Sequence, residues 1–190
     1  AYCYSRLYHP YMKRMLDMTP RELTNLNKEE FLYAIASSEG RVMVSETIGI
    51  AMPVLVDITN AELASAMGAD ILILNLFDLD KPIINGLKVD RPENTIRELK
   101  RLTGRAIGIN LEPVDSIDET KQELWAMSKG RAATVENAKK ALEMGVDFIV
   151  LTGNPGNGVT NDAIASSLKK ISSSLGDKLT LVAGKMHSSG

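Results

Sequence analysis

The chain has 190 residues, of which 22 are basic and 24 acidic, so its formal net charge is only −2 at pH 7. This length suits one domain with a substantial core, and the near balance of charge excludes a bulk attraction to nucleic acid or to an anionic membrane. No apolar run approaches the roughly 20 residues of a membrane-spanning helix. A single cysteine, Cys3, excludes an internal disulfide framework and predicts a cytoplasmic protein.

Residues 1–11, AYCYSRLYHPY, differ in composition from the rest of the chain. They hold most of the tyrosines and lack the continuous apolar segment of a signal peptide. We interpret residues 1–11 as a leader or docking arm and residues 12–190 as the globular domain. The domain begins with MKRMLDMTPREL, which predicts a short amphipathic helix and a second helical turn that opens at Thr19 and Pro20.

An internal repeat indicates the architecture. NAELASAMGADILILN (60–75) and NAKKALEMGVDFIVLT (137–152) share Asn, Ala, Met, Gly, Asp and Leu at matching positions, which indicates a repeated structural unit. In each copy an Asn or a nearby Thr is expected to cap a helix, Gly68 or Gly145 to end it, and an apolar run to follow. Each copy is therefore predicted to be a helix, a tight turn and a buried strand.

The same signals predict three further strands. RVMVSET (41–47) is the first, RAIGINLEP (105–113) follows a helix predicted from about 92 to 103, and KLTLVAGKMH (178–187) is the fifth. Continuous apolar strands separated by amphipathic helices predict a parallel sheet covered by helices. The helix before the fifth strand places four apolar residues on one stripe, namely Ile164, Leu168, Ile171 and Leu175.

Two arrangements of such a sheet stay open, a doubly wound open sheet and part of a (βα)8 barrel, or TIM barrel. Polar motifs follow several successive strands, as they do in barrels that build one site from many strand ends. We therefore predict an α/β fold made of the parallel βα units of an incomplete TIM barrel, with about five of the eight strands. Its outer strands would have unpaired edges, so we expect a homo-oligomer or a fragment of a longer barrel.

The segment TGNPGNGVTND, residues 152–162, connects the fourth strand to a helix. Its backbone N–H groups and the helix N-terminus suit a phosphate or carboxylate, although the glycine spacing matches neither the Walker nor the dinucleotide pattern. A turn in which the glycines serve only the backbone is an equal alternative. The predicted ligand-binding residues of this segment are Thr152, Gly153, Asn154, Gly156 and Gly158.

The segment AGKMHSSG places Lys185 and His187 two residues apart at the end of the fifth strand, on the same side of it. A lysine inside a barrel can form a Schiff base or hold an anion, and a neighbouring histidine can act as an acid or base or bind a metal. We predict catalytic roles for both. In the alternative, Lys185 extends to solvent and His187 packs against the chain.

Polar side chains also end the first three predicted strands. Glu46 follows VMVS, Asn75 ends ILILN, and Asn110 and Glu112 lie in INLEP. Strand-end carboxylates could bind a divalent metal such as Mg²⁺ or act as a base. We predict that Glu112 moves protons and that the other three bind ligand, whereas the alternative for such a glutamate is to cap a helix or pair with an arginine.

The stretch ILILNLFDLDKPI, residues 71–83, resembles the Asp-x-Asp nucleophile loop of haloacid dehalogenase-like phosphatases. The internal repeat, however, predicts that the strand ends near Asn75, which leaves Asp78 in the loop beyond it. Pro82 also stiffens a turn that should be adaptable. We predict that Asp78 and Asp80 form a polar loop pair, and a phosphatase that uses Asp78 is an alternative.

The segments ITNAELASAMGADILILN, VDFIVLTGNPGNGVTN and AGKMHSSG together resemble an uncharacterised bacterial TIM-barrel family. Its members are labelled phosphoenolpyruvate phosphonomutase-like or haloacid dehalogenase-like proteins. The resemblance runs from about residue 12 to residue 190, and it implies that the family's chains continue for further βα units. It transfers no catalytic residue to this sequence.

We therefore predict an enzyme-like TIM-barrel protein that binds a small anionic metabolite, phosphorylated or carboxylated, for lyase, aldolase or isomerase chemistry. The alternatives are a haloacid dehalogenase-like phosphohydrolase that uses Asp78, and a non-catalytic metabolite-binding or scaffold protein. Neither nucleic acid nor a membrane is expected as a partner. No motif identifies a cofactor.

Overall fold

The structure is a computed structural model that describes residues 12–113, 128–153 and 159–184. Predictions for residues 1–11, for Asn154, Gly156 and Gly158, and for Lys185 and His187 lie outside these ranges.

The strands are β1 (Val44–Ile48), β2 (Ile71–Asn75), β3 (Ala106–Leu111), β4 (Phe148–Leu151) and β5 (Thr180–Ala183). The α-helices are α1 (Pro20–Leu23), α2 (Lys28–Ser37), α3 (Asn60–Ala66), α4 (Thr95–Thr103), α5 (Val135–Met144) and α6 (Asn161–Leu175). Short 3₁₀ turns occupy Met15–Asp17, Pro92–Asn94 and Lys129–Arg131.

The five strands form one parallel sheet in the order β1-β2-β3-β4-β5. Every strand pairs with the next strand along the chain, and α3, α4, α5 and α6 contact one another in sequence. A doubly wound sheet would reverse its strand order part-way, whereas successive βα units of a barrel keep one direction. The predicted fold class is therefore confirmed, and the sheet is open in the described ranges, with β1 and β5 at its edges.

The repeated unit folds the same way in both copies. Thr59 caps α3 and Thr134 caps α5, each accepting a hydrogen bond from a backbone N–H in the first turn, so the threonine rather than the asparagine is the cap. Gly68 and Gly145 follow the two helices with φ angles of 104° and 95°. These angles lie in the left-handed region, where glycine avoids the strain of a side chain.

The main core lies between the sheet and α3 to α6. Alternate strand residues point to this side, and Leu72, Leu74 and Ile109 are fully buried there. The predicted stripe of α6 packs against the same core, with Ile171 fully buried. The side chains of the remaining strand residues point to the other face of the sheet, which we call the inner face.

The amino-terminal helices cover the part of the inner face that lies near the strand starts. Phe31 of α2 stacks on Phe148 of β4, with ring centroids 5.4 Å apart, and both side chains are buried in a second core. Gly108 makes room for this stack, because a Cβ at that position would lie 2.3 Å from the Phe148 ring. The inner face is therefore closed at the strand starts.

The two copies of the repeat also share an aspartate that links neighbouring strands. Asp70 accepts a hydrogen bond from the backbone N–H of Met43 at 2.8 Å, and Asp147 accepts one from Ile107 at 2.7 Å. Lys100 contacts the other oxygen of Asp147 at 2.7 Å. Burial raises the pKa of Asp147, and the neighbouring Lys100 opposes that rise. These aspartates hold the strand starts in register.

No helix within the described ranges is both long enough and apolar enough to span a bilayer.

Candidate functional site

Two asparagines stand side by side at the carboxyl ends of β2 and β3. The register pairs Leu74 with Ile109, so the residues that follow, Asn75 and Asn110, are neighbours on adjacent strands. Because Leu74 and Ile109 point into the main core, both asparagines point to the inner face. Adjacent strands lie about 4.8 Å apart, which brings the two amides within reach of one small group.

Glu46 joins this pair from β1. The Nδ2 atom of Asn110 donates to Oε1 of Glu46 at 2.9 Å. A carboxylate only accepts hydrogen bonds, so the amide nitrogen of Asn110 must face Glu46 and its Oδ1 atom must face away. That oxygen is buried and has no hydrogen-bond partner among the described residues. Glu46 itself is exposed and forms no ion pair with a lysine or arginine of the described ranges.

The amide of Asn75 is oriented by its own backbone. Its Oδ1 atom accepts a hydrogen bond from the N–H of Leu76 at 2.8 Å, and Leu76 has a φ angle of 57°. A left-handed conformation is unusual for a leucine and is often found near functional sites. The Nδ2 atom of Asn75 has no partner among the residues that the structure describes, so it is a donor available at the inner face.

Glu112, which the sequence predicts to move protons, lies in a buried ion pair with Arg131. Only 8% of Glu112 and 6% of Arg131 is exposed. The backbone N–H of Glu112 donates to the carbonyl of Arg131 at 2.8 Å, and Ala133 donates to the carbonyl of Glu112 at 2.9 Å. The segment 128–133 therefore continues beside the end of β3, and Glu112 adopts the arginine-paired arrangement that was its alternative.

Thr152 and Gly153 follow β4, and both are predicted ligand residues. The backbone N–H of Thr152 donates to Leu111 at 3.3 Å, which extends the pairing of β3 with β4. A Cβ on Gly153 would lie 2.5 Å from the side chain of Val159, so packing alone accounts for a glycine there. Thr160 caps α6 through a hydrogen bond of 3.1 Å from Ala163.

Asp78 and Asp80 lie in the loop after β2, which ends at Asn75 as the repeat predicts. Asp78 accepts a hydrogen bond from the backbone N–H of Asp80 at 2.8 Å, and its side chain fills the space beside Gly130, where a Cβ would lie 1.9 Å from Oδ1. Lys140 donates to Asp80 at 2.6 Å, and this contact raises the pKa of Lys140. Because its carboxylate is held in this turn, Asp78 is poorly placed to attack a phosphoryl group.

A metal site is not apparent in the described ranges, where no group of three His, Cys, Asp or Glu side chains could hold an ion. The two acidic residues predicted as a possible Mg²⁺ pair are engaged elsewhere, Glu46 with Asn110 and Glu112 with Arg131. Mg²⁺ binding therefore stays a prediction. Arg131 was missed by sequence reasoning, because no local pattern signals its return to β3.

Comparisons with known proteins give one family. Residues 16–190 match the model of the family described as "Domain of unknown function (DUF7916)". The chain belongs to this family. The description of the DUF7916 family carries neither the phosphonomutase-like nor the haloacid dehalogenase-like label, so the resemblance that the sequence suggests stays a prediction.

No curated protein matches this DUF7916 chain. Among solved structures, it is similar to a maltogenic alpha-amylase, AmyB, from Thermotoga neapolitana, with 10% sequence identity and a TM-score of 0.41. The match covers 75% of this chain and 45% of the amylase chain. The chain thus spans less than half the length of that enzyme, and a likeness at this level indicates no function.

Proposed function

We propose that this DUF7916 protein is an enzyme-like α/β protein that binds a small phosphorylated or carboxylated metabolite at the carboxyl ends of its strands. One observation supports this above all: beside Glu46, the buried Oδ1 of Asn110 has no hydrogen-bond partner in the part of the chain that the structure describes. A buried acceptor without a donor costs about 1–3 kcal/mol. A fold that keeps such a group at the end of a parallel strand is expected to provide it with a partner when a ligand is bound.

The position of these groups favours a binding site over a structural role. In proteins built of βα units, ligands bind at the carboxyl ends of the strands, whereas contacts at the opposite end serve stability. The strand starts are occupied by the Phe31 and Phe148 stack and by Asp70 and Asp147. The polar side chain of Asn110 lies at the other end, away from these contacts.

The remaining parts of the proposal come from the sequence. Lyase, aldolase or isomerase chemistry would use Lys185 as an electrophile or anion clamp, with His187 or Glu112 moving protons. The loop 153–158 would seat the anionic group. We also propose a cytoplasmic homo-oligomer that binds neither nucleic acid nor membranes, and a relationship to the phosphonomutase-like family.

A ligand screen with matched variants tests the proposal. The full chain is screened by thermal shift against phosphorylated and carboxylated metabolites, and every hit is repeated with Asn110→Ala and with Asn25→Ala. Asn25 is exposed and follows α1, which lies near the strand starts because Pro20 contacts Gly104. Its variant therefore controls for loss of an asparagine away from the proposed site. We expect stabilisation of the wild type and of Asn25→Ala, and little or none of Asn110→Ala. No hit, or equal shifts in both variants, would contradict the proposed site.

Turnover then separates the alternatives. Conversion of a bound hit supports an enzyme, whereas tight binding without conversion supports a non-catalytic binding or scaffold protein. Mg²⁺-dependent hydrolysis of a generic aryl phosphate that is lost in Asp78→Asn would instead support the phosphatase alternative.

A further inference from the structure

We infer that the metabolite presents a hydroxyl group to the paired amides of Asn75 and Asn110, and that Glu46 accepts a hydrogen bond from a hydroxyl beside it. The inference rests on the proposed function, since it assumes a ligand at this end of the sheet. It narrows the class of ligand to hydroxylated acids and phosphorylated polyols. We call the three side chains the hydroxyl site.

The two amides offer opposite hydrogen-bonding groups. Asn110 has its nitrogen turned to Glu46, so its oxygen is the atom that lacks a partner. Asn75 has its oxygen bound by the N–H of Leu76, so its nitrogen is the atom that remains. One amide therefore contributes an acceptor and its neighbour contributes a donor.

A hydroxyl is the small group that satisfies both the acceptor of Asn110 and the donor of Asn75. A hydroxyl oxygen accepts one hydrogen bond and donates another, so it can bridge Asn75 and Asn110. An ammonium group only donates, and a carboxylate or ionised phosphate only accepts. Either charged group would therefore leave one of the two amides unsatisfied.

Glu46 adds a negative charge beside the two amides. Its carboxylate is exposed, and no lysine or arginine of the described ranges pairs with it. An anionic group of the ligand would be repelled here, so the phosphate or carboxylate must point away from the hydroxyl site. A second hydroxyl, next to the one that bridges the amides, can donate to Glu46. A ligand with neighbouring hydroxyls and a distant anionic group meets all three conditions.

The test uses sets of compounds that carry a hydroxyl, an amine or a hydrogen at the same carbon. Glucose 6-phosphate, glucosamine 6-phosphate and 2-deoxyglucose 6-phosphate form one set, and the corresponding three galactose 6-phosphates form a second. In both sets a neighbouring hydroxyl is kept and the phosphate lies away from the carbon that is varied. Affinities for the full wild-type chain are measured by calorimetry. We expect the hydroxylated member to bind about tenfold more tightly or better than the other two. The deoxy member leaves the buried Oδ1 of Asn110 without a donor, and the amino member leaves the Nδ2 of Asn75 without an acceptor.

A single substitution should reverse the preference for the hydroxylated member. Asn75→Asp keeps an oxygen for the N–H of Leu76 but replaces the free donor with a second acceptor, so the preference should move from the hydroxylated to the amino member. Asn25→Asp controls for the added charge and should leave the wild-type order intact. If the screen of phosphorylated and carboxylated metabolites gives no hit, the proposed function itself fails. If the screen gives hits but no member of a set binds, if members bind without preference for the hydroxyl, or if Asn75→Asp leaves the order unchanged, the hydroxyl site is wrong and the proposed function stands.

Discussion

Asn110 of β3 donates a 2.9 Å hydrogen bond to Glu46 of β1, across the strand that separates them. The contact fixes which end of the Asn110 amide faces Glu46 and therefore which atom is left without a partner. It also joins the first and third strands near the end of the sheet where βα proteins build their sites.

Replacing Glu46 with glutamine should weaken ligand binding without unfolding the protein. The new side-chain carbonyl can still accept from Asn110, whereas the charge that favours a donor is lost. We expect the free energy of unfolding to change by less than about 0.5 kcal/mol, as at most surface positions. Affinity for a ligand found by the screen should fall about tenfold by calorimetry, as expected when a charged hydrogen-bond partner is lost. Glu143→Gln, at an exposed position of α5, is the matched control, and an equal loss in both variants would remove Glu46 from the site.

Removing Arg131 should be strongly destabilising. Arg131→Met leaves the buried carboxylate of Glu112 without its arginine, and breaking a buried ion pair on one side costs about 3–5 kcal/mol. Urea unfolding of the variant against wild type measures the loss.

The double variant Arg131→Met with Glu112→Leu supplies the control for this pair. Because both charges are gone, it should recover a large part of the lost stability. A double variant that is no more stable than Arg131→Met alone would show that the two charges do not depend on each other.

Gly108→Ala should destabilise the inner face. Its Cβ would lie 2.3 Å from the Phe148 ring, and forcing an extra methyl group into a packed core costs about 1–3 kcal/mol. Gly184→Ala is the matched control, because a Cβ there meets Val150 at 3.7 Å, an ordinary contact. Thermal unfolding should separate the two variants clearly, and equal melting temperatures would refute the packing account.

Asp147 should make stability fall as the pH rises. Burial raises its pKa in the folded state, so the folded protein holds this proton more tightly than the unfolded chain does. The contribution is therefore fully present below the ordinary aspartate pKa and is lost as the pH rises through the raised value. Asp147→Asn cannot lose a proton, so the difference in unfolding free energy between the variant and the wild type should move in favour of the variant as the pH rises above the ordinary aspartate pKa. A difference that is constant with pH would contradict a raised pKa.

Local patterns in the sequence were enough to predict most of the fold. The repeat placed the end of β2 at Asn75, and the spacing of Ile164 and Ile171 identified the buried stripe of α6. The helix α2 was not predicted. Within it only Phe31 and Ala34 are buried, which is too few for a clear period. Its role as a cover for the strand starts follows from tertiary packing.

The candidate site could be predicted only in part. Counting along the strands brought Asn75 and Asn110 to one end of the sheet, because parallel strands carry their carboxyl ends to a common edge. Glu46 was predicted at the same end, but it is the middle residue of β1, in register with Ile73. The pairing of Glu112 with Arg131 could not be found in this way. It depends on residues 128–133 returning beside β3, a contact between distant segments that leaves no local pattern.

Side-chain amide NMR gives the most direct test that Asn75 and Asn110 contact the ligand. Each asparagine has its own Nδ2–H signals, which can be assigned by single Asn→Asp variants. The ¹⁵N-labelled full chain is titrated with the hydroxylated sugar phosphate that binds most tightly in the calorimetric test. The signals of Asn75 and Asn110 should shift, and those of Asn25 should stay in place. Saturable shifts at Asn25 or elsewhere, with the signals of Asn75 and Asn110 unmoved, would show that the ligand binds at another place.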